Sequence, residues 1–348
     1  MKKYAYYSLL GYLLFFVVQP HQAAAQQKQY QVFSGAFYNL ENLFDTQRDT
    51  SIFDEEFTPE GSNHWTEDKY QKKQTNMAKV ISRLASQYCP LGPAFIGVAE
   101  IENRKVLEDL VKQESIAARS YGIVHYDSPD RRGIDVALLY NPALFKLIDS
   151  KTFPYNLESL PNYKTRDVLL VTGEIAGEQI HVLVNHWPSR YGGKSSELRE
   201  HAASIVKGIV DSLYQVNPET KIVIMGDLND DPVDNSVRKV LQAKKQEKEV
   251  GKEGLFNTMW QYYDKGIGSL GYQGKWNLFD QIIISEPLLG TDRSTLKFWK
   301  AEIFNQSFIT TQEGRYKGYP FRTFAASVFQ NGYSDHFPTL IYMVKALN

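Results

Sequence analysis

The sequence predicts a mixed α/β domain in which strands outnumber helices. Short apolar stretches recur along the chain, helical periodicity returns between them, and two of the strands are joined by a tight turn. That turn argues against a purely parallel, doubly wound sheet, whose strands need long crossovers. A hydrophobic fraction of 43% and a charged fraction of 23% over 348 residues suit a folded chain with a sizeable core. No fixed-period repeat, low-complexity linker or composition break divides it, so a single domain is expected over residues 26–348.

Residues 1–25 stand apart. Lys2 and Lys3 precede an apolar run centred on Leu9, Leu10, Leu13, Leu14, Phe15 and Phe16, and Ala23, Ala24 and Ala25 offer a small-residue cleavage site. This is the layout of a secretory signal peptide, and the run is short for a membrane span. The mature protein is therefore expected to start near Gln26 and to be periplasmic or extracellular. Its removal leaves 37 basic against 40 acidic side chains, a formal charge of −3. Tight wrapping of duplex DNA draws on a basic excess that this chain lacks. The single Cys89 forms no internal disulfide and reads as a small buried hydrophobe.

In chain order, residues 32–38 read as a strand and 42–63 as a polar surface loop. Residues 68–87 carry helical periodicity through Met77, Val80, Ile81 and Leu84. A short apolar run, 93–99, ends at Glu100, and a helix is expected over 104–118. Strands at 123–125 and 134–140 flank a polar turn. Strands at 168–174 and 179–185 form a hairpin around Ala176-Gly177. A helix over 196–213 and a strand over 221–225 follow. Asp231-Pro232 then introduces a helix over 233–241, and the Gly-rich 266–274 segment reads as loop. Residues 280–285 and 339–344 are late strands.

The informative residues are the polar groups that close apolar runs: Asn39, Glu100, His186, Asp227 with Asn229, Asp280, and Asp335 with His336. Singly, each reads as a turn or cap residue. Jointly, carboxylates and amide oxygens suit a hard cation such as Mg²⁺ or Mn²⁺, which needs only two or three protein ligands because it keeps water and takes phosphate oxygens. In extended backbone Asp227 and Asn229 would enter one cavity with Leu228 opposite. Asp335 and His336, being adjacent, need a loop to serve one site. Zinc is disfavoured because the seven His residues are scattered without an H-E-x-x-H pair; His181 reads as structural and His201 as surface. No nucleophile elbow or phosphate-binding P-loop is present.

The ordered strings Phe37-Tyr38-Asn39-Leu40-Glu41-Asn42, Val98-Ala99-Glu100, Asn185-His186, Gly226-Asp227-Leu228-Asn229, Phe279-Asp280-Gln281 and Ser334-Asp335-His336 resemble the endonuclease/exonuclease/phosphatase superfamily. The resemblance implies a four-layer α/β sandwich, two mixed and mainly antiparallel sheets face to face with helices outside. It implies metal binding by Asn39 and Glu100, with Asp335 a further ligand, and a His336–Asp280 couple beside the scissile phosphate. It makes His186 a donor to a phosphate oxygen, and Asp227 with Asn229 the pair that activates water and steadies the phosphorus. Asp227 is the first choice of base, with His336 its rival.

After His186 the sequence departs from nuclease branches, with Trp187 and a Gly-flexed basic loop. Arg132, Arg166 and Arg190 are candidate phosphate contacts, Arg190 in a cluster with Lys194 and Arg199. Trp187, Tyr191, Tyr262, Tyr263 and Tyr272 are aromatic candidates for a lipid-facing rim, with plain packing the favoured alternative. The expected protein is a monomeric, exported phosphate-ester hydrolase acting on a small or flexible ester. Cleavage of short or single-stranded nucleic acid is the nearest rival. A dead surface- or carbohydrate-binding module on the same fold is the rival from another class. The acid-rich 45–67 segment either covers the cleft or stands apart from it.

Overall fold

A computed structural model describes residues 29–193 and 195–347; the expected signal peptide and Lys194 lie outside the described residues. The first half of the chain contributes β1 (Tyr30–Leu43), α1 (Glu67–Arg83), β2 (Phe95–Ile101), α2 (Arg104–Val111), α3 (Glu114–Ala117), β3 (Gly122–His125), β4 (Asp135–Tyr140), β5 (Lys146–Phe153) and β6 (Val168–Ile175). There follow β7 (Glu178–His186), α4 (Ser196–Val216), β8 (Lys221–Asp227), β9 (Leu255–Asn257), α5 (Trp260–Asp264), β10 (Leu270–Tyr272), β11 (Lys275–Asn277) and β12 (Asp280–Ser285). The last strands are β13 (Lys297–Ile303), β14 (Phe324–Ala325), β15 (Val328–Phe329) and β16 (Thr339–Ala346).

Two six-stranded sheets form the core, in the orders β13-β16-β1-β2-β4-β3 and β5-β6-β7-β8-β12-β9. Each has one parallel pair at its centre, β1 with β2 and β7 with β8; the remaining pairings are antiparallel. Period-2 alternation explains the layering. In β8, Val223 and Met225 join the core between the sheets, while Ile222 and Ile224 join the core under α4. A strand buried on both faces reads as an unbroken apolar run, as this one does. Met77, Ala78, Val80 and Ile81 of α1 cover the outer face of the first sheet, and Ala202, Ala203, Val206, Ile209 and Val210 of α4 that of the second. The sheets meet closely at Gly97, where a Cβ would lie 2.7 Å from Met225 Sδ. The result is the expected four-layer α/β sandwich.

Several local expectations change. Residues 104–118 form two helices, because Gln113 takes an extended conformation between them. Residues 236–240 form a π-helical turn, and the 266–274 segment opens a hairpin, β10–β11. Strands β5 and β13 were not anticipated: both are half-exposed edge strands rich in charge, so neither shows apolar alternation. The 45–67 segment packs against the β14–β15 hairpin through Trp65, whose ring meets Phe57, Phe324 and Phe329. Among the described residues, no helix is long and apolar enough to cross a membrane.

Candidate active site

Sheet register gathers the polar strand ends. In the second sheet His186 is opposite Asp227 across the parallel pair, and Asp227 is opposite Asp280 across the antiparallel one. Residues far apart in sequence thus occupy neighbouring rungs at one end of the sheet. In the first sheet Asn39 pairs with Ala99, just before Glu100, and the register slips on both strands at this point. Glu41, Asn42 and Glu100 there have φ of 50°, 52° and 58°. Bulges of this kind re-aim side chains next to a site, and this one turns Glu100 toward the facing sheet.

A cleft of about 580 Å³ opens over these ends, lined by Glu100, His186, Asp227, Asn229, Asp335 and His336, with Arg132 and Arg190 at its rim. The two sheets are stitched beneath it by Asn39 Nδ2, which donates to Asp227 Oδ2 at 3.1 Å. Asp227 Oδ1 accepts the Asn229 N–H at 3.0 Å. Asn229 is not extended, as the spacing suggested, but left-handed with φ 49°; Leu228 is buried as expected. The Asn229 side chain donates to Trp187 O at 3.0 Å.

Burial pushes the Asp227 carboxyl up to about 7; Asp280 and Glu100 add to the effect, and His336 opposes it. The His336 pKa is also raised, which for an imidazole favours the charged form. Burial disfavours its charged form, but Asp280, Asp227 and Asp335 outweigh that and hold its pKa well above the ordinary range. Its Nδ1 lies 2.6 Å from Asp280 Oδ2, and a second bond reaches that oxygen from Ser269 Oγ. This directs Nε2 to the cleft, 3.9 Å from Asp227 and 3.8 Å from Asp335. The adjacent Asp335-His336 pair serves one site from a loop, as its spacing required.

His186 is held neutral, by burial first and then by the charges of Arg166, Arg132 and His336. Its Nδ1 is buried without a partner, while Nε2 lies 3.8 Å from Glu100 and 3.7 Å from Asp227. A proton on Nε2 therefore faces acceptors, and one on Nδ1 would face none.

The arginines separate. Arg132 lines the cleft, and among the described residues its side chain bonds only the neutral Asn42 side chain, at 2.8 Å. Arg190 lines it too, lying 4.6 Å from the centre of the Phe279 ring, but it is also held by Asp230 at 2.9 Å and by Asp234. Arg199, grouped with it from sequence, is buried against Asp230 at 2.6 Å. Arg166, expected as a phosphate contact, does not reach the cleft. It is buried, ion-paired to Asp130 at 2.8 Å, and donates to the carbonyls of His186 and Trp187. Trp187 is buried as well, donating to Asn185 Oδ1 at 3.2 Å, whereas Tyr191 and Tyr272 stand exposed on the rim.

Sequence reasoning missed the support beneath Asp335. Arg322 bridges Asp335 Oδ2 at 3.0 Å and Glu41 Oε1 at 3.1 Å, and the buried Lys73 lies 4.0 Å from Glu41 Oε2. Glu41 belonged to a quoted motif, but nothing in the pattern marked Arg322 or Lys73.

Among the described residues, two groups offer ligand atoms spaced for a divalent cation: Asp227, Asp280 and His336, and, apart from the cleft, His125, Asp127 and Asp135. In the first, Asp280 Oδ2 and His336 Nδ1 are already bonded to one another at 2.6 Å, and in the second His125 and Asp135 are bonded at 2.9 Å. Glu100 and Asp335 line the same cleft as Asp227, and carboxylates gathered in a partly dry site are relieved by a hard cation. Asn39 does not line the cleft: its amide is engaged by Asp227 and by the Glu41 N–H.

The family model for the endonuclease/exonuclease/phosphatase family matches residues 34–345. No curated protein sequence gives a significant match. Among solved structures, an endonuclease/exonuclease/phosphatase family protein from Bacteroides thetaiotaomicron is similar at 15% identity and TM-score 0.56, covering 92% of this chain and 100% of its own. D. rerio TDP2 complexed with a single-strand DNA product is similar at 12% identity and TM-score 0.53, over 90% of this chain and 98% of that one. A B. thetaiotaomicron mannosyl-6-phosphatase is similar at 14% identity and TM-score 0.53, over 89% of this chain and 99% of that one. Likeness at these identities speaks for the fold, and the family match over most of the sequence for descent. The chain belongs to the endonuclease/exonuclease/phosphatase family.

Proposed function

We propose that the mature protein is an exported, Mg²⁺- or Mn²⁺-dependent hydrolase of small or flexible phosphate esters. The observation that carries the reading is the gathering of unlike acid–base groups in one cleft: the Asp227 carboxyl, its pKa raised to about 7, lies 3.9 Å from the imidazole of His336, which Asp280 holds at 2.6 Å. A carboxyl and an imidazole set side by side in this way can divide base and acid roles between them. Glu100 and Asp335, both lining the cleft, would hold the cation, which would neutralise charge on the phosphate oxygens. Asp227 takes the proton of the attacking water, because a base works best with a pKa near the working pH. His336, kept protonated by Asp280, serves as donor to the phosphate or to the leaving oxygen, and this weighs against it as the base. His186 donates from Nε2 to another phosphate oxygen.

The test is turnover of a phosphodiester reporter and of sugar and inositol monophosphates, with Mg²⁺, with Mn²⁺ and with EDTA. Metal-dependent turnover abolished in Asp227→Asn is expected; no turnover of any ester with either metal would overturn the reading. The fold is shared with a DNA-processing protein and with a sugar phosphatase, and so does not decide the substrate. The formal charge of −3 for the mature chain favours a compact ester over duplex DNA. Export rests on the leader pattern of residues 1–25, and recovery of the mature form starting near Gln26 from a periplasmic or culture fraction would test it.

A further inference from the structure

Next to the cleft lies a second pocket of about 570 Å³, and the two share Arg132 and Ser189 in their walls. We propose that this side pocket binds a second anionic group of the substrate, a phosphate separate from the one being hydrolysed. The inference rests on the phosphate-ester reading of the main cleft and extends it to the substrate's remaining structure.

The argument starts from charge. Five ionised side chains line the pocket: Asp130, Arg131, Arg132, Lys164 and Arg166. Asp130 and Arg166 neutralise one another through their 2.8 Å ion pair, with side chains only 8% and 5% exposed. Three cations remain. Among the described residues Arg131 and Lys164 have no ion pair, and the side chain of Arg132 bonds only the neutral Asn42. Unpaired cations gathered around a concavity form an anion site, whereas isolated surface cations do not.

The backbone holds two of them in place. Asp130 Oδ1 accepts the Arg132 N–H at 2.8 Å, and the Gly133 N–H bonds Asp130 O at 2.9 Å, closing a tight turn. Gly133 has φ 65°, and a Cβ there would meet Ile52 Cδ1 at 2.1 Å, so the turn is pinned against the 45–67 segment. Arg132 therefore faces both cavities from one fixed turn. Arg166, at the floor of the side pocket, donates to the carbonyl of His186, so the wall of this pocket and the end of β7 share one anchor.

A second phosphate reaches such a pocket either from a compact bisphosphate or from the neighbouring link of a nucleic acid strand, and the experiment separates the two. Binding is read first without turnover, by calorimetric titration of inorganic phosphate into the metal-free protein, wild type and Arg131→Gln/Lys164→Gln. The wild type is expected to bind one more phosphate than the variant, with equal Tm because both side chains are exposed. Identical phosphate binding in the two proteins would overturn the proposal. Rates are read next, on thymidine 5′-(p-nitrophenyl phosphate) with and without a 3′-phosphate. The 3′-phosphate is expected to raise kcat/KM about tenfold in the wild type, through KM, and to lose that advantage in the variant. An advantage that survives the double substitution would also overturn it. A short oligothymidylate that suffers the same loss as the bisphosphate assigns the source to a strand, and one that does not assigns it to a compact bisphosphate. If the wild type hydrolyses none of these, the hydrolase reading fails, and the phosphate titration still decides the side pocket.

Discussion

The floor and the rim of the cleft are built on different rules. The floor is made of strand ends: His186, Asp227 and Asp280 occupy adjacent rungs, and each is held by at least one neighbour from another strand or loop. The rim is made of loops, where position follows from which charges happen to pair. Arg132 and Arg166 show the contrast. Both belong to basic turns near strand ends, but Asp130 and two backbone carbonyls absorb the Arg166 side chain into the structure, whereas among the described residues the Arg132 guanidinium has no carboxylate partner and stays at the cleft.

The largest effect should come from the floor. Asp227→Asn is expected to lower kcat/KM by about 10²- to 10⁴-fold with folding intact, measured by steady-state kinetics alongside Tm. A drop of similar size in His336→Ala is expected; unchanged turnover in that variant would end the assignment of His336.

Removing the buried Arg166 beside the cleft should instead cost stability. Arg166→Ala leaves Asp130 buried without its partner and should destabilise the fold by about 3–5 kcal/mol in denaturant titration. A loss below about 1 kcal/mol, as surface pairs give, would place Arg166 with Arg132 and dissolve the contrast.

The pH profile sharpens the division of roles. The carboxyl of Asp227 is raised, so it is protonated below about 7 and available as base above it, and kcat/KM should rise with pH through about 7. A divalent cation nearby favours the ionised form, so more Mg²⁺ should move that limb to lower pH. Residual activity of Asp227→Asn should lack the limb; a limb that persists would return the base role to His336.

The smallest effect concerns salt. A compact site holding one or two phosphates should show little change in kcat/KM for small esters between 50 and 200 mM salt, against about 10³- to 10⁵-fold for a protein gripping 6 to 10 duplex phosphates. Efficient duplex cleavage with a steep salt dependence would favour the nucleic-acid reading.

The strand ends were legible because a polar residue closing an apolar run is a strong local signal, as in Ile224-Met225-Gly226-Asp227. The central strands were legible for the same reason, being buried on both faces. The edge strands β5 and β13 were not, because a half-exposed edge tolerates charge. The support of Asp335 by Arg322 escaped notice because its partners come from distant segments.

By itself the sequence determined which residue types stand at the strand ends, the alternation that buries the central strands twice, and the ordered motifs that name the family. Those properties reside in local spacing and composition. Tertiary structure alone decided that Asn39 stitches the sheets through Asp227, that Arg166 is a buried anchor while the Arg132 side chain meets only Asn42 among the described residues, and that the pKa values of Asp227 and His336 are both raised. The physical reason is common to all three. Desolvation and charge pairing depend on which side chains lie within a few ångströms, and no spacing along the chain encodes that.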